Sequence, residues 1–376
     1  MQRYLKLTFI VASALALLTG HPSNADPALA PNWVPPSDAE IRKLLVQIVD
    51  VRHQSLGVVI GVIGPSGRRV IAYGRRDQVD PRPLDGDTEF EIASISKVFT
   101  GLVLADMARR GEVSLTDPAA KCLPAGLRMP PVAGQNITLA DLATDTSGLP
   151  RDPTNLDSKD VAGAYAHYSL DDLNKFLSSY VLPHAPPAPW AYSNLGFGIL
   201  GLSLSCRAGE SYEALVKERL LQPLGMSSTS ISLTADEAAR LAPGHDPRFN
   251  RVSPVNLGLM AGAGSFRSTA NDLLTLLAAE LGYAPTPLRQ DFDFALATDR
   301  PSKYLKVHQT LGWPVVDTPV GPMMNQEGGN SGYLTYAAYM PRQGYGVVVL
   351  MNTRPKGLDA DDIGDYILAG HPMPNP

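Results

Sequence analysis

Ser94 and Lys97 stand three positions apart, as S-x-x-K. On a helix such residues share a face, with Cβ atoms about 5–6 Å apart, so the amine can reach the hydroxyl. At a helix N-terminus the unpaired N–H groups and the positive end of the dipole favour a developing oxyanion and disfavour a protonated lysine. Burial pushes the amine the same way. A neutral amine within reach and a ready anion site are what an activated serine nucleophile requires. Two further stretches carry similar promise. Tyr192-Ser193-Asn194 sets a phenol, able to exchange a proton beside a lysine of lowered pKa, two residues before an amide able to hydrogen-bond a substrate carbonyl. Gln326-Glu327-Gly328-Gly329-Asn330 precedes a β-rich run, and its glycines allow an extended edge whose backbone N–H groups approach a ligand closely. Taken singly, each stretch has a plain structural counterpart: a helix cap with a solvated lysine, a buried tyrosine with a capping asparagine, a glycine turn.

The elements that must position these groups can be read from periodicity. Ile95, Val98, Leu102, Ala105 and Ala108 recur at helical spacing behind Ser94, which gives the helix a buried stripe and a rigid start. Gly111 stops it and Pro118 forbids its resumption. Upstream, residues 26–36 read as an extended, proline-rich lead-in. Ser37 and Glu40 form a capping box ahead of an amphipathic first helix, and Val58–Ile63 with Arg68–Tyr73 read as a hairpin about Gly64-Pro65-Ser66-Gly67. From there to about residue 250 the signals are helices and proline-rich loops, including a helix capped by Ser169 and Asp172 and another over Tyr212–Leu221. A helix over Asn271–Leu281 follows, then β-rich runs at Thr310–Val316, Tyr333–Met340 and Gly344–Met351, and a last helix at Ala360–Leu368. Strands at both ends with helices between them predict an α/β (α+β sandwich) fold. In it, one antiparallel sheet is built from both chain termini, the sheet region covering about 37–92 and 255–376 and a mostly helical region 93–254.

Arg3 and Lys6, an apolar run from Leu7 to Leu18, and small residues at Ser23 and Ala25 make residues 1–25 a secretory leader, the run being too short to span a membrane. The remainder is predicted to be secreted or periplasmic, with no stable membrane span. A net charge of −5 without a basic cluster excludes nucleic acid and anionic membranes as partners and leaves small molecules or peptidoglycan-derived substrates. Seven histidines show no paired ligand spacing, so no metal site is expected, nor any organic cofactor. Cys122 and Cys206 would meet an oxidising compartment, where a disulfide and two buried thiols are both open.

S-x-x-K, Y-x-N and a glycine-rich strand start, in this order, resemble the three elements of the serine β-lactamase and penicillin-binding-protein superfamily. The tyrosine version is similar to class C β-lactamases and related D-Ala-D-Ala carboxypeptidase and esterase proteins. The resemblance runs from about Val58 to Asn352 and takes in Phe90-Glu91-Ile92-Ala93, Ser147-Gly148-Leu149-Pro150 and Pro223-Leu224-Gly225-Met226. It implies Ser94 as nucleophile, Lys97 as its activator and Tyr192 as acid/base partner. Asn194, Gln326, Gly328, Gly329 and Asn330 would bind substrate, with an oxyanion hole from the N–H groups of Ser94 and Gly329. The expected activity is hydrolysis, through an acyl-enzyme, of a β-lactam, a D-Ala-D-Ala-type peptide or a small ester. A weakly active penicillin-binding or sensor protein on the same fold is the rival reading; a Ser-His-Asp hydrolase is disfavoured because no G-x-S-x-G elbow is present. Where relatives carry Lys-Thr-Gly, or histidine for the lysine, this chain has Gln326-Glu327-Gly328, which supplies no cation for a substrate carboxylate. Neutral esters are therefore expected to be favoured over penicillins. Asp145 stands where many relatives have histidine, and the sequence assigns it no role.

Overall fold

The computed structural model describes residues 33–131, 134–156, 161–304 and 306–373. The expected leader and most of the lead-in lie outside them. In chain order the strands are β1 (Gly57–Gly64), β2 (Gly67–Gly74), β3 (Phe90–Glu91), β4 (Arg267–Ser268), β5 (Arg300–Pro301), β6 (Val307–Gln309), β7 (Pro314–Thr318), β8 (Gly321–Gly329), β9 (Leu334–Met340) and β10 (Tyr345–Met351). The α-helices are α1 (Asp38–Val46), α2 (Ser96–Arg109), α3 (Leu139–Ala143), α4 (Val161–Ala164), α5 (Leu170–Ser179), α6 (Asn194–Ala208), α7 (Tyr212–Val216), α8 (Gln222–Leu224), α9 (Ala235–Arg240), α10 (Ala270–Glu280), α11 (Arg289–Ala297) and α12 (Ala360–Ala369).

Strand order β2-β1-β10-β9-β8-β7-β6-β5, antiparallel throughout, makes one eight-stranded sheet from the two ends of the chain. Strand alternation sorts its side chains onto two faces. Val58, Ile60, Val62, Tyr336 and Val349 pack with Ile41 and Leu45 of α1 and Ile363 and Ile367 of α12. Val59, Ile63, Val348 and Leu350 join the larger core with Phe99 and Leu102 of α2 and Leu273, Leu274 and Leu277 of α10. The sheet is thus covered on both sides, and every residue of β1 is buried. The expected capping boxes at Ser37/Glu40 and Ser169/Asp172 are present, each worth about 1 kcal/mol to its helix. Among the described residues, no helix is long and apolar enough to cross a membrane.

The helix expected behind Ser94 is present with its apolar stripe buried, and the burial goes further: Ser96 through Met107 are all buried, so α2 is a central rod. Two expectations need correction. The run Thr310–Val316 is not one strand: residues 310–313 form the turn between β6 and β7, and only 314–316 are strand, the start of β7. Close approach to α2 forces that turn. A Cβ on Gly101 would lie 2.5 Å from the Leu311 carbonyl carbon, and one on Gly312, at φ 93°, would lie 2.9 Å from Val98 Cα. Finally, the Gln326–Gly329 stretch does not merely precede a strand; it is the last part of β8, a strand whose glycine, proline and methionine content hid it from propensity.

Candidate active site

β3 pairs with β4, after which the chain turns through Ala93, in the left-handed region at φ 45°, into a 3-10 turn carrying Ser94 and then into α2. Non-glycine residues adopt that conformation at a cost of order 1 kcal/mol, here directly before the expected nucleophile. Lys97, 1% exposed, lies one turn further on, with its Nζ 3.1 Å from Ser94 Oγ, 2.8 Å from Asn194 Oδ1 and 2.7 Å from the Ala263 carbonyl oxygen. Neighbouring polar residues of α2 fix the same segment: Thr100 Oγ1 donates to Gly262 O at 2.7 Å, and Ser96 Oγ accepts the Phe266 N–H at 3.1 Å. Burial pushes the Lys97 amine well below the usual lysine range, with Arg151 adding to the effect and Asp145 and Asp152 opposing it. A neutral amine has two N–H donors and one lone pair. The fixed oxygens of Asn194 and Ala263 take both donors, which leaves the lone pair to accept the Ser94 hydroxyl proton.

Tyr192 OH lies 2.5 Å from Ser94 Oγ, although the two residues are 98 positions apart. Near its ring lie the Lys97 amine, with Nζ 4.6 Å from the centroid, and the Arg151 guanidinium, with its carbon at 4.9 Å. Burial raises the phenol well above its ordinary value, while Arg151 and the hydrogen bond to Ser94 pull it back. Asn194 opens α6 behind its N-cap Ser193. Its amide is engaged at both ends: Oδ1 accepts from Lys97, and Nδ2 donates to Asp152 Oδ1 at 2.9 Å. A substrate carbonyl reaching Nδ2 therefore competes with Asp152, which also accepts from Tyr165 OH.

β8 runs past the end of β7, whose pairing stops at Val315 opposite Met324, so residues 325–329 form an open edge. The Asn330 N–H bonds Tyr333 O at 3.1 Å, and in an antiparallel ladder such pairs alternate, so the Gly329 N–H, opposite Leu334, points out from that edge. A Cβ on Gly328 would fall 2.2 Å from Ile92 O, which shows how tightly the strand passes over the turn before Ser94. Gln326 is buried, and its Nε2 covers the edge carbonyl of Glu327 at 2.7 Å. Alternation sends Glu327 to the opposite face, beside Tyr336 and the acidic start of α12. There burial, with Asp361 and Asp359 adding to it, pushes its carboxyl up to about 8. Asn330 ties the β8–β9 turn: Nδ2 donates to Glu91 Oε2 at 2.7 Å, and Oδ1 accepts the N–H groups of Gly332 and Tyr333.

Ser94, Lys97, Tyr192 and Asn194 thus meet in one hydrogen-bonded cluster, with the β8 edge beside it. Sequence reasoning gave no role to Asp145, Arg151, Asp152 and the Ala263 carbonyl. The Ser147–Pro150 motif pointed to the loop that carries the first three, but no spacing rule shows that it packs on Tyr192.

A serine and a buried lysine one turn apart, a tyrosine on the serine and an open strand edge beside them make a candidate acyl-transfer site on an α/β sandwich. The chain belongs to the beta-lactamase family, whose model matches residues 40–371. It is a serine hydrolase of that family, within the serine β-lactamase and penicillin-binding-protein superfamily. It is 31% identical over 322 residues to the D-alanyl-D-alanine-carboxypeptidase/endopeptidase AmpH of Escherichia coli (strain K12), covering 80% of each chain. To a beta-lactamase of the same organism it is 26% identical, covering 81% of this chain and 89% of that one. Among solved structures, a class C beta-lactamase superposes with a TM-score of 0.75 at 21% identity, covering 88% of this chain and 95% of the other. The beta-lactamase from Sulfitobacter sp. EE-36 superposes with a TM-score of 0.72 at 24% identity, covering 85% and 93%. These likenesses establish the fold expected from the sequence.

Proposed function

We propose that Ser94 attacks the carbonyl carbon of an ester or amide outside the cytoplasm, and that neutral acyl substrates are preferred to carboxylate-bearing ones. The observation that carries this reading is the partner set of Lys97, two fixed acceptors and the serine, which suits a neutral amine acting as base. As the Oγ–carbon bond forms, the hydroxyl proton passes to the Lys97 lone pair. The carbonyl oxygen, now an oxyanion, lies between the N–H groups of Ser94 and Gly329. Collapse expels the alkoxide or amine, which takes a proton delivered through Tyr192, and water then hydrolyses the acyl-enzyme by the same path in reverse. Neutral substrates are favoured because the β8 edge presents the Gln326 amide where a cation would be needed, and Glu327 faces the other way. The leader pattern of residues 1–25 and the Cys122–Cys206 disulfide support an oxidising compartment.

A second reading, hydrolysis of D-Ala-D-Ala-type peptides, is favoured by the likeness to AmpH. Fluorescent penicillin labelling beside chromogenic hydrolysis of short neutral esters tests both. We expect label on the Ser94 peptide, loss of it in Ser94→Ala, and faster turnover of neutral esters than of penicillin. Label persisting in Ser94→Ala refutes the nucleophile, and penicillin turnover outpacing the esters refutes the preference.

A further inference from the structure

The loop 144–152 supplies none of the expected catalytic residues, yet it laces the segment around Tyr192 from one side. Asp145, 3% exposed and in the left-handed region at φ 56°, accepts the Ser193 N–H on Oδ1 at 2.9 Å and the Ala191 N–H on its carbonyl at 2.8 Å. Both peptide neighbours of the tyrosine are therefore held by a single residue. Further along, Thr146 O accepts the Ala188 N–H at 2.6 Å, Pro150 O accepts the Ser193 hydroxyl at 2.7 Å and Arg151 O accepts the Leu195 N–H at 3.1 Å. Its backbone so anchored, Arg151 lays its guanidinium over the Tyr192 ring, with Nε 3.6 Å from Asp152 Oδ2.

We propose that Asp145 and Arg151 are positioning residues for proton transfer at Ser94: Asp145 clamps the backbone on both sides of Tyr192, and Arg151 sets its guanidinium on the same tyrosine ring that Lys97 Nζ approaches. The functional meaning rests on the acyl-enzyme reading above. Lys97 faces Asp145, Arg151 and Asp152 from this loop; burial is the largest influence on it, the Asp145 carboxylate favours its charged form, and Arg151 disfavours it. Asp145 is itself pushed up by burial and drawn back by Lys97, by the Ser193 N–H and by Arg151. Burial is also the largest influence on Tyr192; from the loop Arg151 lowers it and Asp145 raises it, Glu327 raises it through β8 from the far face, and the charges of Arg354 and Arg151 repel each other. Acylation needs neutral Lys97, so whatever favours the ammonium moves the acid limb of the rate profile to higher pH.

Asp145→Asn keeps an oxygen for the Ser193 N–H and a residue type that tolerates φ above zero, while removing the charge. Arg151→Gln removes the cation from a partly exposed position, and Arg151→Lys restores it without the planar stack. The experiment follows the Lys97 Cε resonance of carbon-13-lysine protein against pH in all four proteins, beside the pH profile of neutral-ester acylation. Loss of the Arg151 charge is expected to move the Lys97 midpoint to higher pH and loss of the Asp145 charge to lower pH, each by about half a unit to one unit. Arg151→Lys is expected to return it to the wild-type position, and the acid limb of acylation is expected to follow. Midpoints that stay put, or that move in the same direction in both variants, overturn the proposal. Should Asp145→Asn fail to fold, the sign of the Arg151→Gln shift and its reversal by lysine decide alone. Midpoints that move as expected while Ser94 takes no label would uphold this electrostatic role and refute the acyl-enzyme reading instead.

Discussion

Cys122 and Cys206, two Cα atoms 5.7 Å apart and 84 residues apart in sequence, close a loop that contains α3, α4, α5 and most of α6. Removing that link by Cys122→Ser/Cys206→Ser frees the unfolded chain. For a loop of this length the loss of closure entropy corresponds to about 4.5 kcal/mol at 25 °C, and measured losses typically run from about 2 kcal/mol upward. A chain of 376 residues unfolds with an entropy of roughly 0.7–0.8 kcal/mol per degree, so the midpoint should fall by about 3–6 °C. The effect on catalysis should be small below that temperature. Cys206 lies near the far end of α6 from Asn194, about 18 Å along the helix at 1.5 Å per residue. Thermal melts of the oxidised protein and the double variant, with ester turnover at 25 °C, test both halves. An unchanged midpoint refutes the closed loop as a source of stability, and a large loss of kcat at 25 °C refutes the separation of staple from site.

Three further outcomes are expected. Lys97→Arg keeps the charge but cannot deprotonate, so acylation of Ser94 should drop by about 10²–10⁴-fold with the fold intact by circular dichroism; near wild-type rates would move the base to Tyr192. Gln326→Lys places a cation on the open β8 edge and should raise penicillin acylation relative to neutral-ester turnover by roughly ten- to a hundredfold, the worth of a charge-assisted hydrogen bond; no relative gain would mean that the edge does not meet the substrate carboxylate. Burial raises the folded-state carboxyls of Glu327 to about 8 and of Glu280 and Asp361 to about 7, from ordinary values of 4.5, 4.5 and 3.8. The folded protein then holds protons that the unfolded chain has released, so their stabilising contribution is full below about pH 4 and declines as pH rises through 7–8. Melts at pH 5 and pH 8 should show the lower midpoint at pH 8, and the reverse order would refute the assignment.

The candidate catalytic cluster was legible because its chemistry is partly local. S-x-x-K is one helical turn and Y-x-N one helix start, and each survives as a short motif. What the motifs could not give is the third dimension. Lys97 is held by a carbonyl 166 positions away, a contact that depends on the 3-10 turn Gly258–Ala263 lying along α6. The meaning of Gln326-Glu327 changed once β8 was seen to be a strand, because its pleat puts the two side chains on opposite faces and removes Glu327 from the cleft. Asp145 looked like an unexplained substitution and proves to be a backbone clamp, since only the packed loop shows which N–H groups it meets. Periodicity found α2 but not the extent of its burial, since Ser96, Thr100 and Asp106 are polar residues that the packed structure encloses.

In the sheet, β1 is paired on one side with β2, its neighbour in sequence, and on the other with β10, near the opposite end of the chain. During synthesis, therefore, the first hairpin emerges with one edge unsatisfied and stays so until residues 345–351 have left the ribosome. The strand edge over Ser94 belongs to that same late segment, because β8 and β9 reach the sheet through β10. A growing chain thus carries Ser94, Lys97 and Tyr192 long before the strand edge that completes their surround is in place. Products of translation interrupted before residue 321 therefore lack β8, β9 and β10, and with them the open edge beside Ser94.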